Sequence, residues 1–454
     1  MKTMLHRFGL LLGLGALLAA GTVARGQEQT GTPGPSAGES SSAAEAATAT
    51  SQPPRYVQLL NTNQVIALNG EARYRFLYGM SLTGGYDDGI VPSAQPTRVG
   101  YTLWNPHVGL IARKPRSEFL IQYAPTVGYF NDPAVGRLVG HQGEIFARGD
   151  FSHRWSWDFR LASRYGSFAA SLLSPYHFSA VGSFSAVNPQ TLLLGTTADR
   201  LDSDATLGLH WRLGVRDEMY FTGGHNYTNS FGTGLPGSKI HVNRSNFTLG
   251  MQHAVSRRWA LTAAANGIHR YGATVSCTHY GALFGVAVHP NSRTDLAVSV
   301  GPELGDTGCI QPRLVTYQGF ATVHLTRHWS VYAAAERSTS ASVFLPAAPS
   351  GSSLDQLTHT VAAGVMRDAI GGHLEMRLDG GYISTDGGTR IRPFNTQGRF
   401  IAPQVGWRLT RTLGASATYR RIYQLNSGII GNRNQFFVTL DWRPDAPEKS
   451  GPIH

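Results

Sequence analysis

After Gly70 the chain alternates between apolar and polar positions. In 374–382, LEMRLDGGY, Leu374, Met376 and Leu378 face one way while Glu375, Arg377 and Asp379 face the other. In 205–213, ATLGLHWRL, Leu207, Leu209, Trp211 and Leu213 oppose Gly208, His210 and Arg212. In 434–442, NQFFVTLDW, Phe436, Val438, Leu440 and Trp442 oppose Gln435, Thr439 and Asp441. A period of two predicts strands with one apolar and one polar face. A helix of period 3.6 would scatter the same residues around its axis.

One phrase recurs between these strands: SHRWSWDFR (152–160), SRRWALTAAA (256–265), TRHWSVYAAAE (326–336) and TRTLGASATY (410–419). Each is a hydroxyl residue, one or two basic residues, a large apolar residue and then an alternating strand. Short turns fall at these places and near 112–118, 214–218, 289–295 and 367–373. Between them lie longer connections rich in Gly, Ser, Asn and Pro, at 84–98, 169–201, 228–241, 272–278, 305–313, 339–355, 385–395 and 425–433, with a short one near 131–138. Short turns alternating with long loops mark an outer-membrane barrel with tight periplasmic turns and long outer loops. Eight short turns join sixteen strands; a strand before the first (about 72–83) and one after the last (about 433–443) give 8 × 2 + 2 = 18. The expected fold is therefore all-β, a transmembrane antiparallel up-and-down barrel of 16–18 strands over residues 71–444. A soluble propeller or sandwich would pack its apolar faces inside, and its turns would not sort into a short set and a long set. Trp155, Trp259, Trp329 and Trp442 stand at strand ends, where an aromatic ring with one polar edge suits a membrane boundary.

Composition agrees with strands facing an apolar exterior. The chain has 53 glycines and 10% aromatic residues, yet only 15% of its residues are charged, against about a quarter in a soluble domain. The amino terminus indicates the compartment. Lys2 and Arg7 precede an apolar run from Phe8 to Val23, and Ala24-Arg25-Gly26 precedes Gln27, the pattern of a secretory signal peptide over residues 1–26. Its removal takes Lys2, Arg7 and Arg25, so the formal charge falls from +11 to +8. That modest excess lacks the dense basic runs of a nucleic-acid arm. Residues 27–54 are Ser, Ala, Thr, Gly and Pro with almost no large apolar residue, and a mixed pre-strand segment follows; together 27–70 read as a linker. Residues 445–454 read as a tail. In an exported chain, Cys277 and Cys309 point to a disulfide between two neighbouring outer loops, stabilising by about 2–4 kcal/mol. Two cysteines are too few for a thiolate metal cage, and no metal or cofactor is expected.

The chain resembles the outer-membrane β-barrel porin families of Gram-negative bacteria, in particular the exopolysaccharide-associated kind. The residues that carry the resemblance are the turn–strand phrases at Ser152–Trp155, Ser256–Trp259 and Thr326–Trp329. They mark architecture over residues 70–444. The end departs from general porins, which stop at an aromatic residue: here RPDAPEKSGPIH follows Trp442, so the insertion signal would be internal. The partners implied are outer-membrane lipid and lipopolysaccharide, the barrel-assembly machinery and, for an export role, periplasmic polysaccharide-export proteins. Nothing indicates nucleic acid, and the pattern leaves the oligomeric state open.

Parity also assigns a lumen. Inward fall Arg73, Arg75, Arg148, Arg160, Arg164, Arg212, Arg377, Arg408 and Arg420, together with Asp150, Asp158, Glu303, Glu336, Glu375, Asp379 and Asp441. Two readings stand side by side: an ion-pair network supporting the wall, or a selectivity surface in which arginines favour anions. The connection 169–200 carries Leu172, Leu173, Phe178, Val181, Phe184 and Leu192–Leu194, too many apolar residues for a solvated loop, and reads as an inward constriction. No H-E-x-x-H or G-x-S-x-G motif appears among the scattered histidines, so no catalytic residue is assigned. Residues 27–70 are too short for the plug of a TonB-type transporter. The functions in contention are a channel for small solutes, anionic ones among them, a conduit for polysaccharide export, and a structural or adhesive surface barrel. Amino-terminal sequencing of the protein from the outer-membrane fraction should begin at Gln27; an intact terminus in the inner membrane would refute that.

Overall fold

Eighteen strands follow one another along the chain in a computed structural model. They are β1 (Tyr74–Asp87), β2 (Val99–Lys114), β3 (Ser117–Phe130), β4 (Arg137–Asp150), β5 (Trp155–Ser167), β6 (Asp199–Arg212), β7 (Asp217–Phe231), β8 (His241–Ala254) and β9 (Trp259–Gly272). The second half holds β10 (Ser276–Asn291), β11 (Thr294–Gly305), β12 (Arg313–His324), β13 (Trp329–Ala341), β14 (Asp355–Ala369), β15 (Leu374–Gly388), β16 (Pro393–Arg408), β17 (Leu413–Asn426) and β18 (Ile429–Trp442). The structure describes residues 74–88, 98–114, 116–131, 137–167, 199–231, 241–256, 258–272, 276–291, 293–309, 311–341, 355–370, 373–388, 393–410, 412–426 and 429–444. The expected signal peptide, linker, tail, Arg73 and nearly all of the 169–200 connection lie outside them.

Each strand pairs antiparallel with its neighbour in sequence, and β1 also pairs with β18, so the sheet closes into an up-and-down barrel. At one end the connections are short. There the recurring phrase has a definite physical role. The Ser152 hydroxyl accepts hydrogen bonds from the backbone N–H groups of Arg154 and Trp155, both at 3.2 Å. Thr326 does the same for His328 and Trp329 at 3.1 Å, and Thr410 for Thr412 and Leu413 at 3.2 and 3.0 Å. Ser256 accepts from Arg258 at 3.1 Å, and the Asn291 side chain takes the same part for Arg293 at 2.8 Å. A side-chain oxygen thus satisfies donors that a tight turn leaves without a ladder partner. The turns are also tied to one another. Arg212 N–H donates to the Arg154 carbonyl, His289 to Arg258, and Asp368 to His328, each closing the end of the next strand onto the preceding turn.

The faces sort by environment. On β1 Phe76, Met80 and Leu82 are exposed on the outside, while Leu77, Ser81 and Thr83 are buried on the inside. On β18 Phe436, Val438 and Leu440 are exposed and Gln435, Phe437 and Thr439 buried. An apolar exterior around a largely polar interior inverts a water-soluble domain and is the architecture of an outer-membrane barrel. Trp155, Trp259, Trp329 and Trp442 are exposed at the short-turn end of their strands. Trp155 stacks on Trp211 at 5.1 Å, and the Arg367 guanidinium lies 4.9 Å over Trp329.

The abundance of glycine has a packing cause. Tyr101, Tyr220, Tyr332 and Phe400 each lie directly over a glycine on the adjacent strand, at Gly85, Gly250, Gly364 and Gly381. A Cβ there would collide with the ring, so the glycine makes room for the large side chain that braces the wall.

Strands run further than alternation alone predicts. The first is Tyr74–Asp87 and the last starts at Ile429, where 84–98 and 425–433 read as loops. Only residues 427–428 separate β17 from β18, because pairing continues to Asn426 and Ile429. Ladder hydrogen bonds are made by the backbone, so Gly- and Asn-rich segments can extend a hairpin that its side chains do not announce.

Depth along the exterior should be readable in stability. Val438→Arg, in the middle of the apolar band, should cost about 2–4 kcal/mol, and Tyr423→Arg, near the long-connection end, about 0–1 kcal/mol. Reversible urea unfolding into lipid vesicles checks this; equal costs would mean that the exterior does not face hydrocarbon.

Candidate functional site: the charged interior

The inward face of each strand is the one opposite its exposed apolar residues. It carries Arg75 on β1, Arg148 and Asp150 on β4, Asp158, Arg160 and Arg164 on β5, and Arg212 on β6. It also carries Glu303 on β11, Glu336 on β13, Glu375, Arg377 and Asp379 on β15, Arg408 on β16, Arg420 on β17 and Asp441 on β18. Arg75, Arg148, Asp150, Arg212, Glu375, Arg408 and Asp441 lie at or near the short-turn rim; the others stand further along the barrel.

These groups do not stand as a ring of free cations. Arg160 Nε donates to Glu144 Oε1 at 2.6 Å with both side chains buried, and Gln122 Nε2 donates to the other carboxylate oxygen at 2.6 Å. Glu118 holds Arg113 at 2.9 Å and Arg148 at 2.7 Å. His210 bridges Asp158 at 3.3 Å and Glu218 at 3.0 Å. Arg377 pairs with Asp379 at 2.7 Å and donates to the Tyr332 hydroxyl at 2.8 Å, and that hydroxyl donates to Asp379. At the seam between β18 and β1, Arg433 clasps Asp87 through Nε at 2.9 Å and Nη2 at 2.6 Å, and Gln435 donates to Asp87 at 2.7 Å and accepts from Arg420 at 3.3 Å. A charge leaving water is tolerated inside a wall only when a partner and further hydrogen bonds compensate it, and these clusters supply both.

The longest reach lies at the long-connection end. Arg270 on β9 donates through Nη2 to the Thr339 carbonyl at 2.7 Å and to its hydroxyl at 2.8 Å, and the Thr339 hydroxyl donates to Glu303 on β11 at 2.9 Å. His279 on β10 stands 3.1 Å from Glu303. Four ladders separate β9 from β13, about 19 Å along a flat wall, so an arginine cannot span it unless the wall folds inward. The pairing shows where it does. The β12–β13 register ends at Tyr317 and Arg337, yet β11–β12 continues to Leu304 and Arg313, and β13–β14 to Ala341 and Asp355. The end of the β13–β14 hairpin therefore parts from β12 and leans over the interior, where Arg270 and Glu303 hold it.

Arg244 on β8 belongs to this region but differs from its neighbours. It lies within electrostatic range of Asp204, Glu303, Glu336 and the like charge of Arg270. It makes no ion pair among the described residues, and its Nε is buried without a hydrogen-bond partner. Two strands away, Cys277 on β10 and Cys309 in the connection from β11 to β12 form a disulfide with Cα atoms 4.9 Å apart, so Cys277 lies in a strand and not in an outer loop as expected. Cys277, His279 and Cys309 converge closely enough to suggest a metal site, but joined sulfurs are not thiolate ligands, and one imidazole remains.

The alternation rule did not bring Arg113, Arg244, Arg270 or Arg433 to notice, nor Asp87, Glu118 and Glu144. A signal existed for most of them. On β8, Phe247, Leu249 and Met251 face outward, and the same parity puts Arg244 inside. On β9 a run of alanines hides the period, but counting from Trp259 and Leu261 puts Arg270 inside as well.

No family model matches the chain, and no curated protein matches it in sequence. Among solved structures it is similar to the siderophore receptor PirA from Pseudomonas aeruginosa, with 7% identity over 81% of this chain and 80% of that one and a TM-score of 0.44. It is also similar to the FrpB iron transporter from Neisseria meningitidis, with 7% identity over 84% of each chain and a TM-score of 0.42. A mutant of the ferric enterobactin receptor PfeA from Pseudomonas aeruginosa gives 8% identity over 82% of this chain and 81% of that one, with a TM-score of 0.45. At such identities and scores the functional reading rests on this chain's own residues.

The buried pair on β4 and β5 gives a direct test of the network. Arg160→Ala should destabilise the barrel by about 3–5 kcal/mol because it leaves Glu144 charged and unpaired. Adding Glu144→Gln should recover most of that loss in the same urea titration. No recovery in the double variant would show that the arginine acts through packing alone.

Proposed function

We propose that the chain, freed of its signal peptide, sits in the outer membrane as a porin-like channel for small hydrophilic solutes, acting as a conduit and not as an enzyme. The observation that supports this best is the closed eighteen-strand wall with an apolar exterior and an interior of paired charges. Walls of 16–18 strands leave an aqueous channel, whereas the plugged transporters have about 22. An interior of matched pairs keeps water and fixed dipoles along the path without a large net field, which suits diffusion of polar solutes more than tight capture of one ion.

Selectivity in this reading comes from the inward-leaning β13–β14 hairpin and from Arg244. Arg270 in that region has oxygen partners, whereas the inward-facing Arg244 carries a charge with none within ion-pair distance among the described residues. An anion passing the narrowing would meet it. Arg160 and Arg164, on the strand that leads toward the 169–200 connection, are the weaker choice, because Arg160 is already neutralised by Glu144.

Planar-bilayer recording tests the proposal. The purified protein should give stable unitary steps. Arg270→Ala should enlarge them by releasing the hairpin, and Arg244→Gln should move the reversal potential in a salt gradient away from anions at nearly unchanged step size. A well-folded barrel that gives no steps, in wild type and in Arg270→Ala alike, would overturn the channel reading and favour a conduit that opens only with an export partner.

A further inference from the structure

The exterior has two boundaries, and they differ in chemistry. At the short-turn end of β13–β18 the outward residues are Trp329, Arg367, Leu374, Trp407, Leu413 and Trp442. Eight positions further along each strand, the outward residue is polar without exception: Arg337 (337 − 329), His359 (367 − 359), Tyr382 (382 − 374), Arg399 (407 − 399), Arg421 (421 − 413) and Asn434 (442 − 434). Between the two lines the outward residues are apolar, as with Val331, Ala333 and Ala335 on β13 or Val405, Pro403 and Ile401 on β16. Eight residues rise about 26 Å along a strand, or about 20 Å along the barrel axis at the usual tilt. That approaches the roughly 25 Å of an outer-membrane apolar band, so the second line stands close to where lipid headgroups begin.

Four of those six outer positions are basic side chains. Arg337 and His359 are direct partners across β13 and β14. Arg399 and Arg421 are diagonal neighbours, since Arg399 pairs with Tyr423 and Arg421 with Ile401. Adjacent pairs of this kind bring side chains within about 5–8 Å. The two guanidinium charges of Arg399 and Arg421 at that spacing repel unless an anion lies between them. None of the four has a carboxylate partner within ion-pair distance among the described residues; Arg399 lies 5.9 Å over the Tyr382 ring, and the Arg337 Nε is buried without an acceptor. One acid, Asp386, lies near His359. The same step of eight on β5–β10 reaches Ser163, Ser203, His225, Ser245, Gly267 and Tyr280, which are neutral or imidazole-bearing.

We infer that the outer face of β13–β17 binds the phosphate groups of a doubly phosphorylated glycolipid of the outer leaflet, one at Arg337 and His359 and one at Arg399 and Arg421. This rests on the outer-membrane reading, which places the long-connection end outward. The chemistry is that of arginine for phosphate: a planar fork of donors and a charge that persists at any ambient pH. Tyr382 between the two pairs offers a further hydroxyl at headgroup depth.

The experiment uses the full-length protein extracted in mild detergent, with bis-phosphorylated lipid A as probe and native mass spectrometry as readout. Wild type should retain lipid A, and the triple variant Arg337→Ala, Arg399→Ala, Arg421→Ala should retain at least tenfold less. The corresponding triple lysine variant should keep most of it. A control triple at the other end, Arg116→Ala, Arg154→Ala, Arg216→Ala, should bind as wild type. Millimolar inorganic phosphate should not displace the lipid. Equal retention by wild type and the β13–β17 variant would overturn the inference, as would equal loss in the control triple or displacement by free phosphate. An unchanged heat-modifiable gel shift verifies folding of each variant. Density-gradient fractionation separates the two readings: wild type in the outer membrane but without lipid A defeats this site alone, whereas absence from that fraction defeats the membrane assignment beneath it.

Discussion

Everything in this molecule depends on closing the sheet. Hydrocarbon offers no hydrogen-bond partner, so a strand edge left open inside a membrane would strand a row of N–H and C=O groups. Here the edges are β1 and β18, farthest apart in sequence, and they meet from Met80 and Trp442 to Asp87 and Gln435. The seam has more than backbone to hold it. Thr83 and Thr439 share a hydroxyl hydrogen bond at 2.9 Å, Arg433 clasps Asp87, and Asn434 donates to Asp88 at 2.7 Å. Bringing chain ends together is the costliest contact in entropy, and this is where charge-assisted hydrogen bonds are concentrated.

Closure also decides what the interior must do. A barrel of this circumference cannot fill itself with apolar side chains, and water enters wherever charge persists. Pairing arginines with carboxylates resolves the conflict between keeping the wall rigid and keeping the interior wet. It also explains why counting arginines alone misjudges the field inside. Arg113, Arg148, Arg160, Arg377 and Arg433 are matched within a few ångströms, and the residues that matter for a passing ion are those without a carboxylate partner, Arg244 at the narrowing among them.

Much of this was legible in the residues. Period two gave the strands, the repeated Ser/Thr–basic–Trp phrase gave the tight turns, and the contrast in connection length gave the count of eighteen. The turn phrase is informative because its hydroxyl is a working part, accepting the N–H groups that the turn leaves unpaired. The strand ends at Asp87 and Ile429 were not legible, because glycine and asparagine conceal a ladder that only the backbone makes. The Arg270–Thr339–Glu303 contact was still further out of reach. It requires β13 to part from β12 above Arg337, and nothing in a local pattern announces the point where a ladder stops.

That point is where the inner and outer surfaces are most tightly coupled. Glu336 faces the interior and Arg337 the lipid boundary, one residue apart. A slip of one residue would put the carboxylate in the membrane and the guanidinium beside Arg244. Tyr332, on the same face as Glu336, pins the register: it is seated on Gly364 and bonded to Arg377 and Asp379. Thr339, of the other parity, reaches Arg270 and Glu303 because the hairpin end folds inward above Arg337. The strand is thus fixed by its interior contacts in the one alignment that leaves its exterior cation at headgroup height, so the polar network that shapes the passage also orients the face the barrel turns to the membrane.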